Sequence, residues 1–518
     1  MPLIITASFV FGTVAILAAL RALRPRFRFS WLLAIGGTTA AWLSIFFWLP
    51  VLPVTLAVPL WTAAGSTISF ATFSVGGESW PLALSILTAA LTFLLTAPAR
   101  AKFPEPAAWA IGLAIAGMGL LAVSAGSPLT LVLFWAGLDL MDAGAALARA
   151  ESRSTGSSVA IAFAARLGSI ALALLALVLG DSSGGISLAG GERASGTALL
   201  PAAALLRLWA FAFPWLNQAP ASTGDEIETM LQLTGGISAV ALLSKIQFDA
   251  QRSSGLILAG CMISALYAGW MWFRAPNRRL ARPLWFMGMG SLAIAATLRH
   301  SPMGAAGLTG GAMLAASALF FATKGERWVN RILLSGVWLA CALPFSLSSM
   351  SWVGEAGIWD LVLPGLLIAQ ALLLAGFAHW AMRAETESSL PPEWSHLRGI
   401  YRAGVVLPLV IGSLLGFWGW TGAFQIGAPL AGVLAVAAAA ALLWAKSHLA
   451  SLSPVPMEWL PKPWQAAFSG SSRAAGQIQA ALQRAVYGFT RVMEGGAGLM
   501  WSLLLLVLFV SLIARGQH

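Results

Sequence analysis

Two carboxylates and two guanidiniums lie inside apolar stretches of this sequence, where ionisable side chains are costly. Asp139 and Asp142 stand three residues apart in LVLFWAGLDLMDAG, so a helix would carry both on one face. Arg166 lies in FAARLGS, and Arg207 lies in ALLRLWAF. Charged groups at membrane depth mark ion or proton paths, or pair with one another. Two interpretations remain open: a proton relay through these groups, or buried ion pairs, such as Asp139 with Arg166 or Arg207.

A second group of charges lies where the eighth apolar stretch begins and ends. Asp225, Glu226 and Glu228 begin it, either as further members of a relay or as the solvated end of a loop. Lys245 ends it, and its flexible side chain would let the ammonium extend to the outer surface. We predict no catalytic, cofactor-binding or metal-binding residues, because the sequence has no P-loop, HExxH or CxxC and no GxGxxG after a strand.

The composition requires that these groups lie in a membrane protein. Of the 518 residues, 58% are hydrophobic and 9% are charged, whereas soluble domains carry about 25% charged residues. This excludes a soluble enzyme, a disordered chain and a secreted disulfide scaffold. Long apolar runs indicate helices rather than a β-barrel. The net charge of +11 comes from scattered basic residues, which argues against nucleic-acid binding.

The apolar runs predict an all-α polytopic membrane protein with about 14 to 16 transmembrane helices, since about 20 apolar residues cross a bilayer. The candidate spans are 2–22, 30–50, 79–98, 106–125, 127–147, 158–180, 198–217, 226–246, 254–274, 282–299, 302–323, 329–349, 357–382, 402–421, 427–446 and 496–514. An N-terminus outside places most of the 30 basic residues on the cytoplasmic side of a cell inner (plasma) membrane. Residues 472–493 read as an amphipathic helix on that side, against lipid or a partner subunit.

Two helix breaks are predicted, at NQAPASTG (217–224) and PFSLSS (344–349). Pro and Gly remove backbone hydrogen bonds, and broken helices line ion paths in many transporters. Two ordinary loops are the alternative. The breaks lie five spans apart, which would suit an inverted five-helix repeat. The predicted domains are N-terminal helices 1–105, a first repeat 106–246, a second repeat 254–390 and C-terminal helices 391–518.

Several motifs, in order, resemble the antiporter-like membrane subunits of respiratory complex I and of Mrp-type cation/proton antiporters, with a related subunit in inorganic-carbon uptake complexes. They are TFSVGGESWPLALSILTAALTFLL, LVLFWAGLDLMDAG, AFAARLGSIALAL, FPWLNQAP followed by LTGGISAVALLSK, SALYAG, APNRRLARPLWFMGMGSLA and AAGLTGGAMLAASALFFATKG. The likeness covers roughly residues 66–330 and is to the largest-subunit type. It implies a proton-translocating helical bundle.

The sequence departs from that family at the positions of its ionisable residues. The glutamate of the fifth span falls on Ala136, one turn from Asp139. The lysine of the seventh span falls at or beside Arg207, which holds its proton near neutral pH. The central lysine and histidine of the eleventh span fall on small residues near Ala312 and Ala316. The resemblance therefore implies a retained scaffold in which much of the proton path is missing.

Three functions remain open from the sequence. The first is a membrane subunit of a proton-translocating complex I-like or Mrp-like assembly that conducts or couples H⁺ or Na⁺ movement. The second is a degenerate, non-conducting scaffold subunit of such a complex or of an inorganic-carbon uptake complex. The third is an unrelated polytopic enzyme acting on lipid-linked substrates. The expected partners are other membrane subunits and the lipid bilayer. Any enzymatic role would be that of a non-redox membrane subunit in a NADH:quinone oxidoreductase-like complex.

Overall fold

A computed structural model shows a polytopic all-α membrane protein. It describes residues 2–24, 29–61, 69–99, 106–147, 163–177, 199–212, 225–245, 254–322, 327–354, 362–383 and 397–449, apart from 164, 242 and 277. Within these ranges, ten helices are long and apolar enough to cross a membrane. The helical class predicted from composition is therefore confirmed. The first break (217–224), the amphipathic helix 472–493 and the span 496–514 lie outside the described residues.

The N-terminal part of the chain contains five helices and one β-hairpin. The helices are α1 (Pro2–Leu23), α2 (Ser30–Phe46), α3 (Ser79–Leu95), α4 (Pro106–Val123) and α5 (Pro128–Leu147). The hairpin pairs β1 (Val54–Trp61) with β2 (Ser69–Val75). No strand is predicted there from the sequence. Apolar runs of spanning length indicate helices, and these strands are only 8 and 7 residues long.

The middle of the chain contains six helices and a short 3₁₀ turn. They are α6 (Ala165–Leu177), α7 (Leu199–Ala212), α8 (Asp225–Ala241), the 3₁₀ turn Leu243–Lys245, α9 (Ser254–Arg274), α10 (Arg278–Leu298) and α11 (Pro302–Phe321). Because α10 begins at Arg278, Arg282 lies inside this helix and is buried. The predicted span 282–299 begins at Arg282, so the sequence placed this residue at the end of a span rather than inside it.

The remaining helices surround the second predicted break. They are α12 (Arg327–Leu334), α13 (Gly336–Ala340), α14 (Leu363–Met382), α15 (Leu397–Phe417) and α16 (Pro429–Leu449). The predicted span 329–349 is two short helices followed by a non-helical segment, 341–348, and a 3₁₀ turn, Ser349–Trp352. This segment is largely buried, so the interruption lies within the protein.

Three helices, α3, α8 and α11, form the centre of the bundle and are buried along most of their length. Helix α11 packs against α3, α8, α10 and α15, and its small residues allow this close approach. Hydroxyl groups in the centre donate to carbonyls one turn earlier, as Thr88 does to Leu84 and Thr309 does to Ala305. The protons of these hydroxyl groups therefore have acceptors within the protein.

Two compact units divide the chain. The larger contains residues 1–56 and 72–443, and the smaller contains 57–71 and 444–518. Helices α1 to α15 belong to the larger unit, as does all but the end of α16. In its described part, the smaller unit consists of strand residues 57–61 and 69–71 and of the end of α16, where Trp444 packs on His448. The domain boundaries and the repeat predicted from sequence remain predictions.

Candidate functional site

Four charged side chains meet in the bundle and are called here the charge cluster: Asp139, Asp142, Arg166 and Arg207. The centre of the cluster is the pair formed by Asp139 on α5 and Arg207 on α7. Arg207 Nη1 donates to Asp139 Oδ2 over 2.9 Å, and Nη2 donates to Oδ1 over 2.8 Å. The Arg207 side chain is 0% exposed and that of Asp139 is 2% exposed. Such bidentate geometry satisfies both carboxylate oxygens with one guanidinium.

The second pair of the charge cluster lies one helical turn along α5. Arg166 on α6 donates from Nη1 to Asp142 Oδ2. This pair is more accessible, with side-chain exposures of 9% for Arg166 and 19% for Asp142. Asp139 and Asp142 are three residues apart on one helix, and each carboxylate binds a different guanidinium. Of the pairings left open by the sequence, the structure selects Asp139 with Arg207.

Aromatic rings separate and cover the two guanidiniums. Arg207 Cζ lies 4.5 Å from the ring centroid of Trp135 and 5.8 Å from that of Phe211. Arg166 Cζ lies 4.6 Å from the same Phe211 ring. The attraction between a cation and an aromatic ring is stronger where water is excluded. Phe211 fits here because Gly235 on α8 has no side chain, and a Cβ at that position would overlap the ring.

The acidic residues of α8 lie at the start of that helix. Glu228 Oε1 accepts a hydrogen bond from Gln232 Nε2 over 3.1 Å. Asp225 begins the helix, and Glu226 in the next position is half-buried. One residue on from Glu228, Thr229 Oγ1 accepts a hydrogen bond from Arg282 Nη1 over 2.5 Å.

Arg282 was missed as an interior residue by sequence reasoning. It is 4% exposed, and its guanidinium lies 6.0 Å from the Phe320 ring. The sequence did not predict that Arg282 lies four residues inside α10, because the neighbouring arginines resemble those of a basic loop. The available signal was Pro283, which directly follows Arg282 and is compatible with a helix in a membrane bundle.

Lys245 is captured by backbone carbonyls rather than extended towards water. Its Nζ donates to Ser74 O over 2.7 Å, and to Val123 O and Ala125 O over 2.8 Å each. The three carbonyls belong to β2, the last residue of α4 and the turn after it. The expectation that this ammonium snorkels to the outer surface is therefore wrong, because three fixed acceptors satisfy all three of its protons.

The second half of the bundle contains aromatic rings where the family resemblance implies ionisable groups on α11. Trp285 is fully buried and donates from Nε1 to Ala312 O over 3.1 Å. Its ring centroid lies 5.1 Å from that of Phe377 and 5.5 Å from that of Trp272. Indole and phenyl rings thus occupy the interior beside Ala312, which is the position where the resemblance implies a charge.

Comparison with known proteins shows which solved structures share the fold of this helical bundle. No family model matches the sequence, and no curated protein matches it. Among solved structures, the chain is similar to one in the Mrp complex from Dietzia sp. DQ12-45-1b. The TM-score is 0.67 at 14% identity, over 99% of this chain and 63% of that one. This chain therefore spans less than two thirds of the Mrp chain.

Two respiratory complexes also contain chains of this fold. A chain of the membrane-bound sulfane sulfur reductase, an archaeal respiratory membrane complex, matches with a TM-score of 0.62 at 12% identity, over 99% of this chain and 100% of that one. A chain of respiratory complex I from Thermus thermophilus matches with a TM-score of 0.57 at 18% identity, covering 85% and 99%. At such identities the likeness is one of fold. It confirms the antiporter-like scaffold that the motifs predict.

Within the described residues, no group of three or more His, Cys, Asp or Glu side chains lies close enough together to hold a metal ion. Cys261 and Cys341 are buried free thiols. What the charge cluster holds inside the bundle is two pairs of opposite charge.

Proposed function

We propose that this chain is a membrane subunit of a complex I-like or Mrp-like assembly in a cell inner (plasma) membrane, with its N-terminus outside. The observation that carries the proposal is the charge cluster within an antiporter-like fold. Buried charges are expensive in a membrane and are retained where they serve a function or fix helix positions. Other membrane subunits are the expected partners.

Within such an assembly, the geometry favours a charge-paired scaffold over a proton conduit. A relay needs groups that bind and release protons, and a guanidinium does not release its proton near neutral pH. Arg207 directs both terminal nitrogens to Asp139, whose carboxylate is nearly inaccessible. Aromatic rings pack around Trp285 in the interior, where the family resemblance implies a second set of side chains that bind and release protons. In this role the chain holds neighbouring subunits in register and keeps a fixed charge pattern between them.

A second candidate function, conduction or coupling of H⁺ or Na⁺, is favoured by Asp142. This carboxylate is 19% exposed, against 2% for Asp139, so it is the more accessible of the two to water. Its partner Arg166 faces Phe211 and lies near the pair formed by Arg207. A change of partner at Asp142 would release Arg166 and alter the field on Arg207. Glu226, Glu228 and Asp225 would then supply the cytoplasmic end of such a path.

Purification from the native membrane tests the proposed assembly. The full chain carries an affinity tag and is isolated in mild detergent at low stringency. We expect other polytopic subunits to co-purify in fixed stoichiometry. Recovery of the chain alone, under conditions that preserve other membrane complexes, would contradict the proposal.

Flux measurements distinguish the scaffold from the conduit. The purified chain is reconstituted into liposomes containing a pH-sensitive dye, and a potassium diffusion potential is imposed. The scaffold role predicts proton flux equal to that of protein-free liposomes. Flux above that background, abolished in Asp142→Asn and retained in a surface variant such as Arg24→Gln, would favour conduction instead.

A further inference from the structure

A small cavity lies beside the second break, away from the charge cluster. Its lining comes from the ends of α10 and α14, from α11 and from the 3₁₀ turn Ser349–Trp352. The lining residues are Leu292, Ala295, Ala296, Arg299, Leu308, Ser351, Trp352, Leu366 and Gln370. Most of this surface is apolar, and three polar side chains, Arg299, Ser351 and Gln370, converge on it.

One lining hydroxyl is buried without a partner. Ser351 is 6% exposed, and its Oγ finds no hydrogen-bond partner among the described residues. Ser349 Oγ, two residues earlier and 0% exposed, is likewise unpaired within the described part of the chain. A buried hydroxyl without a partner loses the hydrogen bonds it would make to water. Such groups in a native protein commonly bind an ordered water molecule.

Gln370 has hydrogen-bonding capacity left at the same cavity. Its Oε1 accepts from Trp352 Nε1 over 2.7 Å, and its Nε2 donates to Ala340 O over 2.8 Å. A primary amide has two protons and two lone pairs, so one of each remains. Together with the Ser351 hydroxyl, these offer a water molecule the two to four polar partners that a buried water requires.

We propose that this cavity is a hydration site, in which water binds the Ser351 hydroxyl and the remaining amide valences of Gln370. A cation is a poorer occupant, because the lining has no carboxylate and includes the positive Arg299. The water would stabilise the 3₁₀ turn that follows the break. Ser301 Oγ anchors the same turn by donating to Met350 O over 2.7 Å. This inference does not depend on which assembly the chain belongs to.

Radiolytic hydroxyl labelling of the full chain in lipid nanodiscs tests the site, because bound water generates radicals next to the side chains it touches. Leu366 lines the cavity and is 2% exposed, whereas Leu314 is 0% exposed and lies outside it. We expect Leu366 to be modified severalfold faster than Leu314. Equal, slow modification of both leucines would overturn the proposal.

A pair of variants assigns the labelling to Ser351. Ser351→Val removes the hydroxyl and fills the cavity, so labelling of Leu366 should fall severalfold. Ser317→Val is the matched control, because Ser317 is also buried but its hydroxyl donates to Leu314 O over 2.8 Å outside the cavity. Labelling of Leu366 that is unchanged in Ser351→Val would contradict the site. If Ser351→Val fails to fold, the comparison of the two leucines in the unmodified chain decides alone.

Discussion

Arg207 and Asp139, 68 residues apart in sequence, form a bidentate ion pair with hydrogen bonds of 2.8 and 2.9 Å inside the helical bundle. The pair is almost inaccessible to water. The rings of Trp135 and Phe211 lie against the guanidinium of Arg207. The neighbouring pair of Arg166 and Asp142 is more exposed. This difference in exposure within one cluster leads to the first prediction.

Removing one partner of the inner pair should destabilise the protein strongly. Asp139→Asn leaves Arg207 as a buried charge without a counter-ion, and such losses cost about 3–5 kcal/mol. The double variant Asp139→Leu with Arg207→Met replaces both charges by apolar groups and should recover much of that loss. The free energy of unfolding, measured by titration with SDS, checks both. Asp142→Asn is the matched control with a smaller expected loss, and equal losses at the two aspartates would contradict the burial argument.

The contact between Gly235 and Phe211 predicts a specific steric coupling. Gly235→Ala adds a methyl group where the Phe211 ring lies, and overpacking of this kind costs about 1–3 kcal/mol. At Gly168, a Cβ would lie 3.6 Å from the nearest atom, Leu206 Cδ2, so Gly168→Ala should be tolerated. Combining Gly235→Ala with Phe211→Leu should cost less than the sum of the single variants. Strict additivity in this double-mutant cycle of thermal stabilities would show that the two residues do not interact.

The carbonyls around Lys245 predict that this side chain fixes the junction of β2 with α4. Lys245→Met leaves three carbonyls without their shared donor, and we expect a loss of about 2–4 kcal/mol. Lys245→Arg retains the charge but changes the donor geometry, so its loss should be intermediate. Hydrogen exchange at Ser74 and Gly126, whose amides pair with Ser124 O and Thr72 O, should accelerate in Lys245→Met. Unchanged protection there would count against this role, and Arg24→Met, at an exposed site just after α1, is the control.

Substitution of glycine by alanine should be harmful next to the second break and harmless on α2. A Cβ at Gly307 on α11 would overlap Leu347 O, and one at Gly416 on α15 would overlap Phe345 O. Gly307→Ala and Gly416→Ala should therefore destabilise the bundle. Gly36 on α2 has nothing within 4 Å of a built Cβ, so Gly36→Ala should be neutral or stabilising by up to about 1 kcal/mol. Thermal unfolding of the three variants checks the order, and a stable Gly307→Ala protein would refute it.

Much of the fold could be predicted from the sequence because hydrophobic length is a local property. Predicted spans 2–22, 79–98 and 302–323 lie close to helices α1, α3 and α11. The second break was also visible, since Pro344 and its serines interrupt an apolar run. The β-hairpin was missed because its pairing depends on a partner strand rather than on the run itself. The orientation in the membrane and the repeat remain predictions.

By itself, the sequence determined that this is a membrane protein and that Asp139, Asp142, Arg166 and Arg207 lie in apolar stretches, because composition and hydrophobic length are local properties. It left the pairing of those charges open, because Asp139 is three residues from Asp142 but distant in sequence from both arginines. Only the tertiary structure decided that Arg207 binds Asp139 and that Lys245 binds carbonyls. The physical reason is that helix packing brings distant residues together, and a buried charge takes whichever partner that packing places within reach.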